Sequence, residues 1–250
     1  MILKNKDTSV TAVIFAGGVG TRMHSKDLPK QFLRIHGKPI IAWTIGVFEK
    51  TPCIENVVVV CNANWLDYCQ SIISEFSLNK VRAVVAGGET GQLSIHNGLL
   101  AAAKLSDPKK TVVLIHDGVR PLIDAGTIER NVASVEEFGS SITCVKAKET
   151  ILVKADDGVE IVPRENVLLA RAPQGFWLSD ILAAHKMALD AGETGCIDSA
   201  TMMKAQGNDL HLIVGPDENI KITTQDDYYS MRSILDSREN NQLYAEGEDE

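Results

Sequence analysis

This 250-residue chain has no paired cysteines. The five, Cys53, Cys61, Cys69, Cys144 and Cys196, are odd in number and none falls in a Cys-x-x-Cys spacing. That excludes a disulfide framework and a zinc site built on such pairs. Cys61 and Cys69 can reach one another in a fold, yet all five read as small apolar fillers. An apolar run of membrane length is also missing, and residues 1–7 are short and polar, unlike a signal peptide. The expectation is a cytoplasmic protein with no membrane partner. Basic residues are in the minority: 25 Lys and Arg against 33 Asp and Glu leave a net charge of −8. A general nucleic-acid surface needs a basic face and is disfavoured, so any cation that matters must be one placed at a site. No segment reads as a linker. One domain is expected over 1–238, followed by an acidic, apolar-poor tail at 239–250 expected to be disordered.

Two common phosphate loops are missing as well. A dinucleotide fingerprint needs a third Gly where Met23 stands, and the Gly-Lys-Ser/Thr of a P-loop occurs nowhere. What stands in their place is a buried strand at 10–15 running into Ala16-Gly17-Gly18-Val19-Gly20-Thr21-Arg22-Met23, with Leu28-Pro29-Lys30-Gln31-Phe32 close behind. Glycines 17, 18 and 20 allow positive φ and let bare backbone N–H groups approach phosphate oxygens. Arg22 and Lys30 supply charge, and the combination suits a triphosphate. The alternative is a tight βα turn whose glycines serve only geometry, but such a turn has no use for two cations in that order.

Short apolar runs alternate with amphipathic stretches, the signature of βαβ units and an α/β fold with a mainly parallel sheet flanked by helices. Strands are expected at 10–15, 56–61, 81–86, 111–116, 141–145 and 210–214. Helices are expected at 40–49, 65–75, 94–103, 125–137, 179–191, 199–205 and about 225–237. The stretch 147–169 breaks the rhythm: 150–154 and 159–162 flank an Asp-Gly signal and read as a β-hairpin. A hairpin inserted there has little core of its own, so it is expected to project as an arm onto a second subunit, with a hairpin folded flat on its own domain as the alternative.

In an open parallel sheet ligands gather beyond the carboxyl ends of the strands. Besides the glycine loop, three clusters fall there. Gly87-Gly88-Glu89-Thr90-Gly91-Gln92-Leu93-Ser94 leaves room for a base, and Ser94 either caps the next helix or bonds the ligand. His116-Asp117-Gly118-Val119-Arg120-Pro121 offers a carboxylate for a divalent cation or a substrate hydroxyl, with Arg120 beside it; a structural Asp–Arg pair closing a turn is the other reading. His116 itself reads as a satisfied strand-end residue rather than a base. Finally, 219–224 reads as a short strand whose Lys221 is either solvated or a placed charge.

Taken in order, Ala-Gly-Gly-x-Gly-Thr-Arg-Met, Pro-Lys-Gln-Phe, His-Asp-x-x-Arg-Pro, Pro-Gln-x-Phe at 173–176 and Asn-x-Lys-Ile-Thr resemble the CTP-dependent polyol-phosphate cytidylyltransferases, the methylerythritol-phosphate and ribitol-phosphate group. The resemblance spans about 10–235. It implies a Rossmann-like sheet of the nucleotide-diphospho-sugar transferase type with a protruding β-arm, and transfer of a cytidylyl group from CTP to a polyol phosphate with Mg²⁺ assisting. By position it places Ala16, Gly17, Gly18 and Gly20 around CTP, Arg22 and Lys30 on its phosphates, and Gly88 and Ser94 by the cytosine and ribose. Asp117, also a candidate metal ligand, and Arg120 would lie between nucleotide and acceptor, with Lys221 at the α-phosphate. Thr150 and Arg164 would meet the acceptor, Arg164 crossing to the partner's site in a homodimer joined through the arm. The five-residue spacer 24–28, the Leu before Pro29, the Ala-Gly-Gly-x-Gly-Thr-Arg form and Val119 resemble the ribitol 5-phosphate branch. The 2-C-methyl-D-erythritol 4-phosphate branch is the alternative. Ala172 replaces a customary Thr, Gly91 a common Arg, and Lys148 brings a cation beside Glu149-Thr150, which marks a changed acceptor pocket. Two other classes stay open: a sugar-1-phosphate nucleotidylyltransferase and a catalytically silent nucleotide-binding dimer.

Overall fold

The computed structural model describes residues 7–17, 28–156 and 158–245. Valine-rich segments form the middle of a seven-stranded sheet: β1 (Ser9–Ala16), β4 (Asn56–Cys61) and β6 (Thr111–Asp117). Between β1 and β4 lies a two-stranded ribbon of β2 (Arg34–Ile35) and β3 (Lys38–Pro39), then helix α1 (Ile40–Lys50). Helix α2 (Leu66–Glu75), strand β5 (Val81–Ala86) and helix α3 (Gly91–Ala102) complete the first half. The second half adds α4 (Ala125–Phe138), β7 (Ser140–Lys146), the hairpin β8 (Ile151–Ala155) and β9 (Gly158–Val162), then β10 (Leu168–Trp177). Helices α5 (Leu178–Asp190) and α6 (Ser199–Ala205), strand β11 (Leu212–Val214) and helix α7 (Gln225–Ala245) close the described chain.

The sheet order is β11-β7-β10-β6-β1-β4-β5, and every pairing is parallel except those of β10, which runs antiparallel to both β6 and β7. Side chains alternate across the pleat, so both faces carry core. Ala12, Ile14, Val57, Val59 and Leu114 meet α1, α2 and α4 on one side. Val13, Val58, Val60, Val113 and Ile115 meet α3, α5 and α6 on the other. A third cluster of Ile35, Ile40, Val119, Leu122, Ile222 and Met231 seats α7 against the turn that follows β6.

The α/β expectation holds, with three corrections. β10 is a strand where none was expected beyond the arm at 147–169: its Ala-Arg-Ala-Pro-Gln-Gly centre lacks β-branched residues, its pairing shifts register between Ala170 and Gln174, and the Ala172–Pro173 peptide bond is cis. Residues 219–224 form no strand: Asn219 turns back through its N–H to the Pro216 carbonyl, and only Ile222 reaches over to the Val119 carbonyl. The last helix runs to Ala245, so 239–245, expected to open the tail, are helical. The hairpin stands where expected, with Ala155 opposite Gly158 and φ at Gly158 of +144°. Its outward residues Leu152, Val153, Val159 and Ile161 are exposed. Gly18, Gly20 and Arg22 lie outside the described residues, as do Asp157 and residues 246–250.

Candidate active site

β6 ends on Asp117, beyond which the chain turns sharply, and Arg120 is returned toward the strand end. The Asp117 carboxylate is buried, yet it accepts from Arg120 Nε at 2.7 Å through Oδ2 and from Lys221 Nζ at 2.7 Å through Oδ1. Burial alone would raise its pKa; Lys221 and Arg120 outweigh that and hold it below the usual carboxylate range. Arg120 also donates Nη1 to the Asn219 carbonyl at 2.9 Å, and buried Asn219 donates its side-chain amide to the Ala172 carbonyl at 2.7 Å. One carboxylate therefore holds the turn after β6, the 219–221 segment and the bulge of β10 in fixed relation. The Asp–Arg pair does close a turn, and it also aims a lysine.

His116, one residue earlier, is fully buried with its pKa pushed down to about 4 by desolvation, and its Nε2 meets the Arg120 carbonyl at 3.1 Å. It is a neutral strand-end residue, though only half satisfied, since its buried Nδ1 has no hydrogen-bond partner.

Two lobes of a cleft open on either side of Asp117 and Lys221. The first, about 390 Å³, is lined by Ala16, Gly17, Lys30, Gln31, Gly88 and Ser94 among others. Gln31 is fixed by a 2.7 Å bond from its amide to the Ala16 carbonyl, which ties the start of the glycine loop to the segment bearing Lys30. Thr90, not Ser94, caps α3 by accepting from Leu93 N–H. Ser94 is thereby placed in the first turn, where its hydroxyl accepts from Gly88 N–H at 3.1 Å and donates to the Thr90 carbonyl at 2.9 Å. A Cβ on Gly87 would lie 2.8 Å from Ser94 Oγ and one on Gly88 2.5 Å from Leu93 Cβ, so the loop's tight seat on α3 requires both glycines.

The second lobe, about 370 Å³, shares Phe15, Gly91, Asp117 and Lys221 with the first and adds Arg120, Arg171, Ala172, Gln174, Ile197 and Asp198 among its walls. Gln174 is a scaffold residue: its amide donates to Asp198 Oδ2 at 3.0 Å and accepts from Ala200 N–H at 2.9 Å. Asp198 caps α6 through Thr201 N–H. Gln92 bonds the Glu193 carbonyl and Cys196 N–H, holding the loop before α6 against α3. Sequence reading missed Arg171 and Asp198 and gave Gln174 and Gln92 no role of their own, although both stood in runs singled out from the sequence, because their parts depend on distant segments, β10 and the loop before α6, coming together.

Of the residues singled out from the sequence, Ala16, Gly17, Lys30, Gly88, Ser94, Asp117, Arg120 and Lys221 converge on this cleft. Thr150 and Arg164 do not. Both are exposed at the base of the hairpin, where Arg164 Nη1 donates to the Lys148 carbonyl at 3.1 Å, and neither lines either lobe. The surroundings of Asp117 disfavour the metal role expected of it. Each carboxylate oxygen already faces a cation at 2.7 Å, a poor place for a divalent ion, and no cluster of three metal-ligating side chains occurs among the described residues. No helix among them is long and apolar enough to cross a membrane.

The family model described as 2-C-methyl-D-erythritol 4-phosphate cytidylyltransferase matches residues 10–237. A ribitol-5-phosphate cytidylyltransferase of Streptococcus agalactiae serotype III (strain NEM316) is 53% identical over 235 residues, 93% of this chain and 98% of the relative. One of Vibrio parahaemolyticus serotype O3:K6 is 46% identical, over 94% of this chain and 99% of its own. Among solved structures, the 4-diphosphocytidyl-2C-methyl-D-erythritol synthase of Anaerococcus prevotii DSM 20548 superposes with a TM-score of 0.79 at 27% identity, covering 92% of this chain and 97% of that one.

Proposed function

Because the chain belongs to the 2-C-methyl-D-erythritol 4-phosphate cytidylyltransferase family, we propose that it transfers a cytidylyl group from CTP to D-ribitol 5-phosphate, giving CDP-ribitol and pyrophosphate. The nucleotidyltransferase class follows from membership. The acceptor rests on the likeness to ribitol-5-phosphate cytidylyltransferases at 53% and 46% identity, which agrees with the spacer at 24–28 and with Val119.

One observation carries the mechanism: two lobes share a wall made by Asp117 and Lys221. CTP occupies the lobe with Gly17, Gly88 and Ser94, and the polyol phosphate occupies the lobe with Arg120. Their phosphates then meet at the Lys221 ammonium. An ionised oxygen of the acceptor phosphate attacks the α-phosphorus; the new P–O bond forms as the bond to the pyrophosphate oxygen breaks, with those electrons leaving on pyrophosphate. No proton need move, which accords with the neutral, enclosed state of His116. Lys221 and Lys30, joined by Arg22, stabilise the charge gathered on the pentacoordinate centre, and the shared wall supplies the in-line approach.

A divalent cation such as Mg²⁺ would suit the phosphate oxygens of CTP better than this chain's carboxylates, and would supply charge neutralisation there. A cytoplasmic reaction accords with CTP as donor. The exposed arm joins two copies, bringing Arg164, and Thr150 beside it, toward the partner's acceptor lobe.

A pyrophosphate-release assay with CTP tests the reading against ribitol 5-phosphate, 2-C-methyl-D-erythritol 4-phosphate, xylulose 5-phosphate and glycerol 3-phosphate. Ribitol 5-phosphate should give the highest kcat/KM, and K30A should lower kcat by about 10². Comparable rates on all four, or a preference for the erythritol phosphate, would reject the acceptor. Preference for UTP or dTTP over CTP would reject the donor.

A further inference from the structure

Three cations stand around the second lobe, and their charges are not equally compensated. Arg120 and Lys221 both pair with Asp117 at 2.7 Å. Arg171, half-buried on the same wall, takes part in no ion pair among the described residues. Its Nη1 is held by neutral acceptors, the carbonyls of Asp217 at 2.8 Å and Pro216 at 3.4 Å. The nearby Asp217 carboxylate is committed elsewhere, to Lys148 Nζ at 2.7 Å.

The backbone explains how the guanidinium arrives there. β10 loses register between Ala170 and Gln174, so residues 171–173 leave the ladder where the strand passes the end of β6. The two carbonyl contacts then fix the planar fork. Of the neutral lining residues, Ala172 and Ile197 are apolar and the Gln174 amide is already bonded at both ends, while the buried Ser199 hydroxyl offers an uncommitted but uncharged donor. Burial and the nearness of Arg120 lower the Arg171 pKa and outweigh the opposing pull of the Asp217 carboxylate, which is itself engaged by Lys148, so the cation is only partly compensated.

We propose that Arg171 is an acceptor-binding residue of the second lobe, its guanidinium binding non-attacking oxygens of the acceptor's phosphate dianion and so completing the charge balance that Asp117 leaves open. This rests on the polyol-phosphate reading above. An arginine fork matches two phosphate oxygens, whereas a lysine there offers a point charge. The dianion is held beside Lys221 with its third oxygen directed across the shared wall.

The test compares wild type, R171Q and R171K in steady state, varying CTP and ribitol 5-phosphate separately, with calorimetric titration of ribitol 5-phosphate and of inorganic phosphate. R171Q should raise KM for ribitol 5-phosphate by about 10-fold to 100-fold, the effect of one lost charge-assisted contact, with R171K between it and wild type. KM for CTP should stay within about twofold, because uniform loss of acceptor binding leaves the nucleotide lobe intact. Inorganic phosphate binding should weaken in parallel. A purely structural Arg171 would loosen the 216–221 segment and displace Lys221, raising both KM values together; that result overturns the assignment. So does an unchanged acceptor KM, or a raised one with phosphate binding intact, which would mean that the fork reads hydroxyls. Wild type failing to turn over any polyol phosphate rejects the function itself, a separate outcome that removes the assignment with it.

Discussion

His185 is buried in α5, stacked on His96 at 5.3 Å, and neither of its ring nitrogens has a hydrogen-bond partner. Desolvation pushes its pKa down to about 4, as it does for His116. Both groups bind protons more readily unfolded than folded, so their stabilisation is complete above pH 6.5 and is lost as pH falls toward 4. Each shift costs about 2 kcal/mol of stability at pH 5 relative to pH 7.5. Urea denaturation at the two pH values measures this, and H185F, which fills the site without a titrating ring, should lose markedly less at pH 5 than wild type. An equal loss in both would show that His185 is not the sensor. Asp117 is the opposite case, a carboxylate kept charged. D117N retains the shape but releases Lys221 and Arg120, so kcat/KM should fall about 10²-fold while the fold persists by circular dichroism. Asp117, Arg120 and Lys221 could be picked out from the sequence because each sits in a short run of distinctive neighbours. Arg171 could not, since a lone Arg between alanines carries no local signal; Gln174 and Gln92 did fall in distinctive runs, yet their parts were illegible because each is acquired through contacts 24 to 104 positions away.

At the level of elements, α3 positions the nucleotide lobe, and Gly98 sets its distance from the sheet. A Cβ there would come within 2.5 Å of Val13 Cγ1 and 2.7 Å of Val60 Cγ2, both in the fully buried middle of the sheet. G98A should therefore destabilise the protein by about 1–3 kcal/mol, the usual cost of overpacking, and raise KM for CTP as Ser94 and Gly88 shift with the helix. Thermal unfolding and CTP kinetics read the two effects; an unchanged Tm would mean that the helix is free to retreat. The elements that were legible are those whose period is plain, such as β4 and β5, whose bounds match expectation. Strand β10 was hidden because it trades β-branched residues for a bulge, and 219–224 imitated a strand because Ile220 and Ile222 alternate, although only Ile222 is buried against α7. Tertiary contacts overrode pattern in both places.

For the whole molecule, the arm is the least satisfied surface. Leu152 is 63% exposed and Ile161 66%, on a two-stranded hairpin that a single copy leaves uncovered. Light scattering should report a dimer for wild type and a monomer for L152D/I161D, with activity lost alongside. If Arg164 serves the other copy, mixing R164A with K221A should restore about a quarter of wild-type activity, because one site in each mixed dimer is intact. A dimer whose mixture stays inactive would confine Arg164 to its own copy. The arm was legible from its break in the α/β rhythm, and the second copy proposed for it is inferred from the absence of a core beneath it.

After the hairpin the chain enters β10, where residues 174–176 pair with both β7 and β6 and Leu168 to Ala170 pair with β7 alone. Lys146 stands opposite Leu168 on an antiparallel ladder, so a tight turn suffices to join β7 to β10. The projection is a graft rather than a root: descendants of this chain can reshape or even shed it and keep the same weave, forfeiting Arg164 and the apolar tip but not the sheet.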